Sequence, residues 1–149
     1  MLHINTFVAC NKALIRSGNM IDILGYGVRN ISIRKNKLTG DHVDLSYFAD
    51  IKFDAKDKGE YDFHVELQDV FKNKTLFKTQ KTNIKVEEGR VTFYLAGDVE
   101  IDKEHLSFKK SNALVDTKDD MLNSIMFYLV LIINSEEKAE WEIFIINRE

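Results

Sequence analysis

Proline is absent from this 149-residue chain, and cysteine occurs once, as Cys10. The missing proline excludes polyproline ligand motifs and stiff proline linkers, and it leaves the turns to Gly, Asn, Asp and Lys. A single thiol excludes an internal disulfide framework. Alanine is scarce, with 7 residues against 15 isoleucines and 10 valines. β-branched side chains are stiff at χ1 and fit a pleated surface, so this balance favours strands over helices. The longest apolar run, residues 125–133, has nine residues, where a membrane-spanning helix needs about 20. Met1 to Thr6 has neither the basic nor the apolar region of a secretion signal. The expectation is a cytoplasmic protein with no membrane partner.

Hydrophobic residues make up 44% of the chain and charged residues 30%, a globular composition. Such a length buries one core without metal or disulfide staples, and no break in composition divides it, so one domain over 1–149 is expected. The net charge of −3 is uneven. Residues 1–40 hold six basic side chains against Asp22 alone, and the remainder is acidic. A mildly acidic total makes nucleic acid an improbable partner, since nucleic-acid-binding domains are usually strongly basic.

The dominant pattern is alternation with period two. In Tyr61 to Gln68, the side chains of Tyr61, Phe63, Val65 and Leu67 point one way and those of Asp62, His64, Glu66 and Gln68 the other. Ile31 and Ile33, Val43 to Tyr47, and Val91 to Leu95 repeat it. Strands are expected over 2–9, 20–28, 29–35, 42–54 (with a bulge near Ala49-Asp50), 61–70, 75–86, 90–96, 99–108, 124–134 and 139–147. Short strands separated by frequent turns predict an all-β fold, an immunoglobulin-like or related two-sheet antiparallel β-sandwich of about eight to ten strands. Residues 109–123, KKSNALVDTKDDMLN, fit neither period and are expected to form a long loop.

Two stretches together resemble a family of small bacterial proteins of unknown function that are expected to be β-sandwiches. One is the opening from Asn5 to Ile33, with Ile23-Leu24-Gly25-Tyr26-Gly27-Val28 at its centre; the other is the closing pair, Tyr128 to Asn134 and Trp141 to Ile145. The chain departs from that pattern by its proline-free middle and by Phe127, where a glycine often precedes the tyrosine. The resemblance implies a fold and carries no catalytic residue.

Candidate chemistry is sparse. Gly25-Tyr26-Gly27 lacks the third glycine of a dinucleotide fingerprint, since Asn30 stands there and a strand follows, so it reads as a bulge or close strand packing. His3, His42, His64 and His105 show no metal-site spacing and read as solvent-facing, although a folded sheet can bring distant residues together. Asp41, Asp44, Asp54, Asp57, Asp116, Asp119 and Asp120 would supply oxygen ligands to Ca²⁺ if their turns met, but they read first as turn formers. Cys10 has no adjacent histidine and reads as buried and inert. Lys74, Lys78 and Lys81, with Phe71 and Phe77 interleaved, form a candidate anion-binding segment; the preferred reading is an edge strand that lysines protect from edge-to-edge pairing.

The strand from Met126 to Ile133 is apolar on both faces. Tyr128, Val130, Ile132 and Trp141 are therefore candidate interface residues, covered by a second chain in a homodimer or by the long loop. The expected function is a non-enzymatic binding or interaction module of a bacterium or phage with a protein partner and no cofactor. A structural subunit of a phage or mobile-element particle, and a metal-dependent hydrolase with a loop-assembled site, are the alternatives.

Overall fold

A computed structural model of the chain describes residues 2–16, 20–38, 40–87, 91–106 and 124–148. Among these residues eleven strands run in order: β1 His3–Cys10, β2 Lys12–Arg16, β3 Met20–Leu24, β4 Asn30–Ile33, β5 His42–Phe53, β6 Gly59–Gln68, β7 Thr75–Lys78, β8 Thr82–Val86, β9 Val91–Asp102, β10 Ser124–Ile133 and β11 Glu136–Asn147. Two 3-10 turns, Lys35–Lys37 and Lys103–His105, are the helical segments of the described residues. None is long and apolar enough to cross a membrane.

The fold is all-β and sandwich-like. A front sheet has the order β1-β5-β9, and a back sheet has the order β4-β11-β10-β6-β7, with β8 also pairing β6. The two sheets bury their facing sides together. Leu45, Ile51, Phe53, Val99 and Ile101 come from the front, and Phe63, Leu67, Phe127, Leu129, Leu131 and Ile143 from the back. Phe53 anchors the contact, with its ring centroid 4.8 Å from Tyr61 and edge-on to Phe93 at 5.6 Å. Fully burying side chains of this size stabilises by about 1.5–3 kcal/mol each.

The remaining two strands form a hairpin, β2-β3. It packs over the middle of the outer side of the front sheet, where Ala13 meets Val8, Cys10 and Phe48, with Ile21, Ile23 and Ala96 around them. The return from this hairpin uses the two glycines singled out in the sequence. Gly25 and Gly27 sit at φ +67° and +75°, left-handed positions that favour glycine. They form a turn and not a strand, and lead to Val28, whose N–H donates to the Ala9 carbonyl at 2.9 Å.

Several expected boundaries shift. The strand expected over 20–28 ends at Leu24, and β2 lies in a stretch with no expected strand. Residues 75–86 break into β7 and β8 around Thr79, whose N–H and hydroxyl still bond the Val65 backbone, each at 2.9 Å. The bulge expected near Ala49-Asp50 sits instead in the partner strand, between Ile4 and Thr6. One ladder, β4 on β11, is parallel, where antiparallel pairing was expected throughout. The segments expected over 90–96 and 99–108 form one strand across their junction, β9. The loop expected over 109–123 lies outside the described residues.

Candidate functional site

The unbroken run of β9 places the candidate site. Strand β5 pairs with β9 so that His42 faces Asp102, Asp44 faces Glu100 and Ser46 faces Asp98. Successive strand side chains alternate between faces. Val43, Leu45, Val99 and Ile101 therefore enter the core, and the six polar residues line the outer side. Like charges directly opposite on a sheet are destabilising, yet Asp44 and Glu100 stand opposite each other, with Asp98 and Asp102 flanking Glu100 on its own strand.

The imidazole of His42 lies among these carboxylates. Its Nε2 is 3.0 Å from Asp44 Oδ1 and 3.8 Å from Glu100 Oε1. One donor atom each from His42, Glu100 and Asp102 falls within 4.8 Å of the others. Donors that share a tetrahedral ion at bond lengths of 2.0–2.2 Å stand about 3.4 Å apart, so modest side-chain rotation closes this set on a cation. Beyond Asp102 the chain turns through Lys103–His105, and His105 Nε2 comes to 3.7 Å from Glu104 Oε1. Next to these residues, Asn11, Lys12, His42, Asp44, Ser46, Asp98 and Glu100 line a concavity of about 440 Å³.

The Lys12 ammonium enters this face. Lys12 Nζ is 3.0 Å from Asp98 Oδ1, and the buried Ser46 hydroxyl donates to the same oxygen at 3.0 Å. Chiefly through the Lys12 bond, and less through Ser46, the Asp98 carboxyl is held below its ordinary value. The mixed imidazole and carboxylate donors around His42 suit Zn²⁺, Mn²⁺ or Fe²⁺ better than Ca²⁺, which takes oxygen ligands.

The sequence reading singled out Asp44 and left His42 and His105 as solvent-facing; it missed Glu100 and Asp102. A signal was there. His-Val-Asp-Leu-Ser over 42–46 and Asp-Val-Glu-Ile-Asp over 98–102 are matched polar-out alternations. Splitting β9 hid the second. The two described pairs of the calcium grouping stand apart. Asp41 and Asp44 lie at one end of the 12-residue β5, and Asp54 and Asp57 beyond the other, about 40 Å apart at the strand rise. Asp54 and Asp57 instead close a turn, with the Asp54 N–H donating to Asp57 Oδ2 at 2.8 Å. Asp116, Asp119 and Asp120 lie outside the described residues.

The four candidate interface residues do not share a surface. Trp141 pairs with the core-facing Leu129, its Nε1 donates to the Val28 carbonyl at 2.7 Å, and the Arg29 guanidinium lies 3.8 Å over its ring. Tyr128, Val130 and Ile132 are on the opposite side of the back sheet. Val130 is fully buried within the single chain, and Tyr128 and Ile132 are half-buried. Lys72 lies 5.0 Å from the Tyr128 ring and pairs with Glu137 at 2.8 Å and with Glu140. Those two carboxylates push its pKa up to about 12. His64, expected in solvent, is 8% exposed on this side, its Nε2 3.0 Å from Glu66.

Lys74, Lys78 and Lys81 are exposed along the back-sheet edge that β7 and β8 make against β6. Lys78 stands opposite Glu66 in the ladder. Cys10 is fully buried, and burial pushes its thiol up to about 11. No family model matches the chain, and no curated protein matches it in sequence.

Proposed function

We propose that the protein is a non-enzymatic binding module of a bacterium or phage, and that it binds a divalent cation at the open end of the front sheet. The observation that carries this reading is the approach of His42, Glu100 and Asp102 within 4.8 Å, beside the opposed Asp44 and Glu100. A cation there offsets a repulsion that the sheet otherwise sustains. The non-enzymatic part is supported by the states of two nucleophile types. The thiol of Cys10 is buried and pushed up to about 11. The hydroxyl of Ser46 is buried and donates to a carboxylate, not to an imidazole. Membership of the small bacterial β-sandwich family that the opening and closing strands resemble fits this reading.

Calorimetric titration of metal-stripped protein with Zn²⁺ and Mn²⁺ tests it, together with thermal unfolding. Ligand at 100 times its Kd adds about 2.7 kcal/mol to stability, which for a chain of this size raises Tm by roughly 5–10 °C. Glu100→Gln should lose most of that rise. No heat of binding and no change in Tm with either metal overturns the reading. The same imidazole and carboxylate donors beside an open concavity favour metal-dependent hydrolysis as a second reading. Metal-dependent turnover of a phosphate or carboxylate ester, abolished in Glu100→Gln, would establish it.

A further inference from the structure

We infer that the front-sheet site holds two divalent cations and that Asp102 bridges them; this rests on the cation-binding reading above. Two donor sets come together, each with one donor atom per residue and all within 4.8 Å of one another: His42 with Glu100 and Asp102, and Asp102 with Glu104 and His105. Each set has one imidazole and one glutamate, and the two share Asp102. The local chain produces this doubling. On one side of Asp102 the β5-β9 ladder supplies His42 from across and Glu100 from two residues back on the same face. On the other side the strand ends in the 3-10 turn Lys103–His105, which folds Glu104 and His105 back toward the same carboxylate.

A carboxylate has two oxygens and about four lone-pair positions, so one aspartate serves two ions. Paired metal ions in proteins commonly stand about 3.5–4 Å apart, a separation that one carboxylate spans. The imidazoles make the ligand class a borderline transition-metal cation, Zn²⁺ or Mn²⁺, and not Ca²⁺ or Mg²⁺. The side chains of Glu100 and Glu104 are 49% and 76% exposed and those of His42 and His105 are 34% and 28% exposed. All four are thus within reach of solvent, and ions enter without opening the core.

Stoichiometry decides the matter. Metal-stripped full-length protein is titrated with Zn²⁺ by calorimetry, and with Mn²⁺ while its paramagnetic resonance spectrum is recorded. The expected result is two ions per chain and a spin-coupled Mn²⁺ pair. His42→Ala and His105→Ala should each leave one ion per chain, and Asp102→Asn should abolish the spin coupling. Two ions without coupling overturn the bridge. One ion per chain, lost in His42→Ala and kept in His105→Ala, overturns the pair and leaves the cation-binding reading standing. No ion bound overturns both. The wild-type count needs no variant, and circular dichroism shows whether each variant keeps its β spectrum.

Discussion

The outer side of the front sheet is divided between two chemistries. Near the middle of the strands Val8, Cys10, Phe48 and Ala96 meet the β2-β3 hairpin and are removed from water. At one end the same strands, β5 and β9, present His42, Asp44, Glu100 and Asp102, and no strand among the described residues pairs over them. The inner side of both regions is continuous apolar core. The difference therefore lies in the outward-pointing half of each alternation. A strand can stay fixed by its inner residues while its outer residues change from a packing surface to a binding surface. This division predicts that substitutions on one outer face differ in sign according to the region they fall in.

The largest effect is expected in the covered region. Phe48 is 8% exposed and stacks against Tyr94 with ring centroids 6.1 Å apart. Phe48→Ala removes this packing and leaves a cavity beneath the hairpin, at a cost of about 3–5 kcal/mol. Urea unfolding should show the loss, and Cys10, buried in the same cluster, should become accessible to thiol reagents. A cost below about 1 kcal/mol would mean that the hairpin does not depend on this face.

The open end is expected to respond in the opposite direction. Glu100 faces Asp44 and lies between Asp98 and Asp102. In metal-free, low-salt buffer, Glu100→Gln relieves like-charge repulsion and should raise stability by about 0.2–1 kcal/mol. The gain should shrink at 1 M salt, where the screening length is about 3 Å. With Zn²⁺ present the order should reverse, because the variant loses a ligand. A variant that is less stable than the parent without metal would count against repulsion on this face.

How much of this division was legible depends on what each residue does locally. Tyr61, Phe63, Val65 and Leu67 sit on the core side of β6 as their alternation required. The gap between the strands expected over 90–96 and 99–108 falls on Gly97 and Asp98, residue types common in turns. In the sheet Gly97 stands opposite Tyr47, and a Cβ there would come within 2.7 Å of the Tyr47 ring. That glycine serves a ring on the neighbouring strand, a requirement visible only once β5 and β9 are paired. The expected break at 97–98 divided β9 and concealed the register that gathers His42, Glu100 and Asp102. The hairpin turn at the end of β10 was also displaced. Asn134 and Ser135 take positive φ values of 51° and 67° in a two-residue connection, a tight geometry that favours asparagine, and Glu136 and Glu137 already belong to β11. Val130 is a different case. The alternation placed it on the outward side correctly, but the burial of that side depends on long-range packing that no local period records.

The boundary between the two regions carries the smallest expected effect. Lys12 opens the hairpin, and its ammonium reaches Asp98 at 3.0 Å, although the two side chains are 49% and 65% exposed. An exposed pair of this kind contributes about 0.2–1 kcal/mol. Its pH dependence has a definite sign. The Asp98 carboxyl is held below its ordinary value, first by Lys12 and then by Ser46. A carboxyl depressed on folding contributes stability that is present above its unfolded pKa, about 3.9. That contribution is lost as pH falls through the lower folded value. Lys12→Met should therefore unfold at a lower temperature than the parent at pH 7. The gap should narrow as pH falls below 4 and Asp98 takes up its proton. Added salt at pH 7 should narrow it too. Parent and variant unfolding at the same temperature at pH 7 would show that Lys12 acts through the packing of its aliphatic stem, which methionine retains, and that apolar cover, not charge, sets where the hairpin's hold on the front sheet ends.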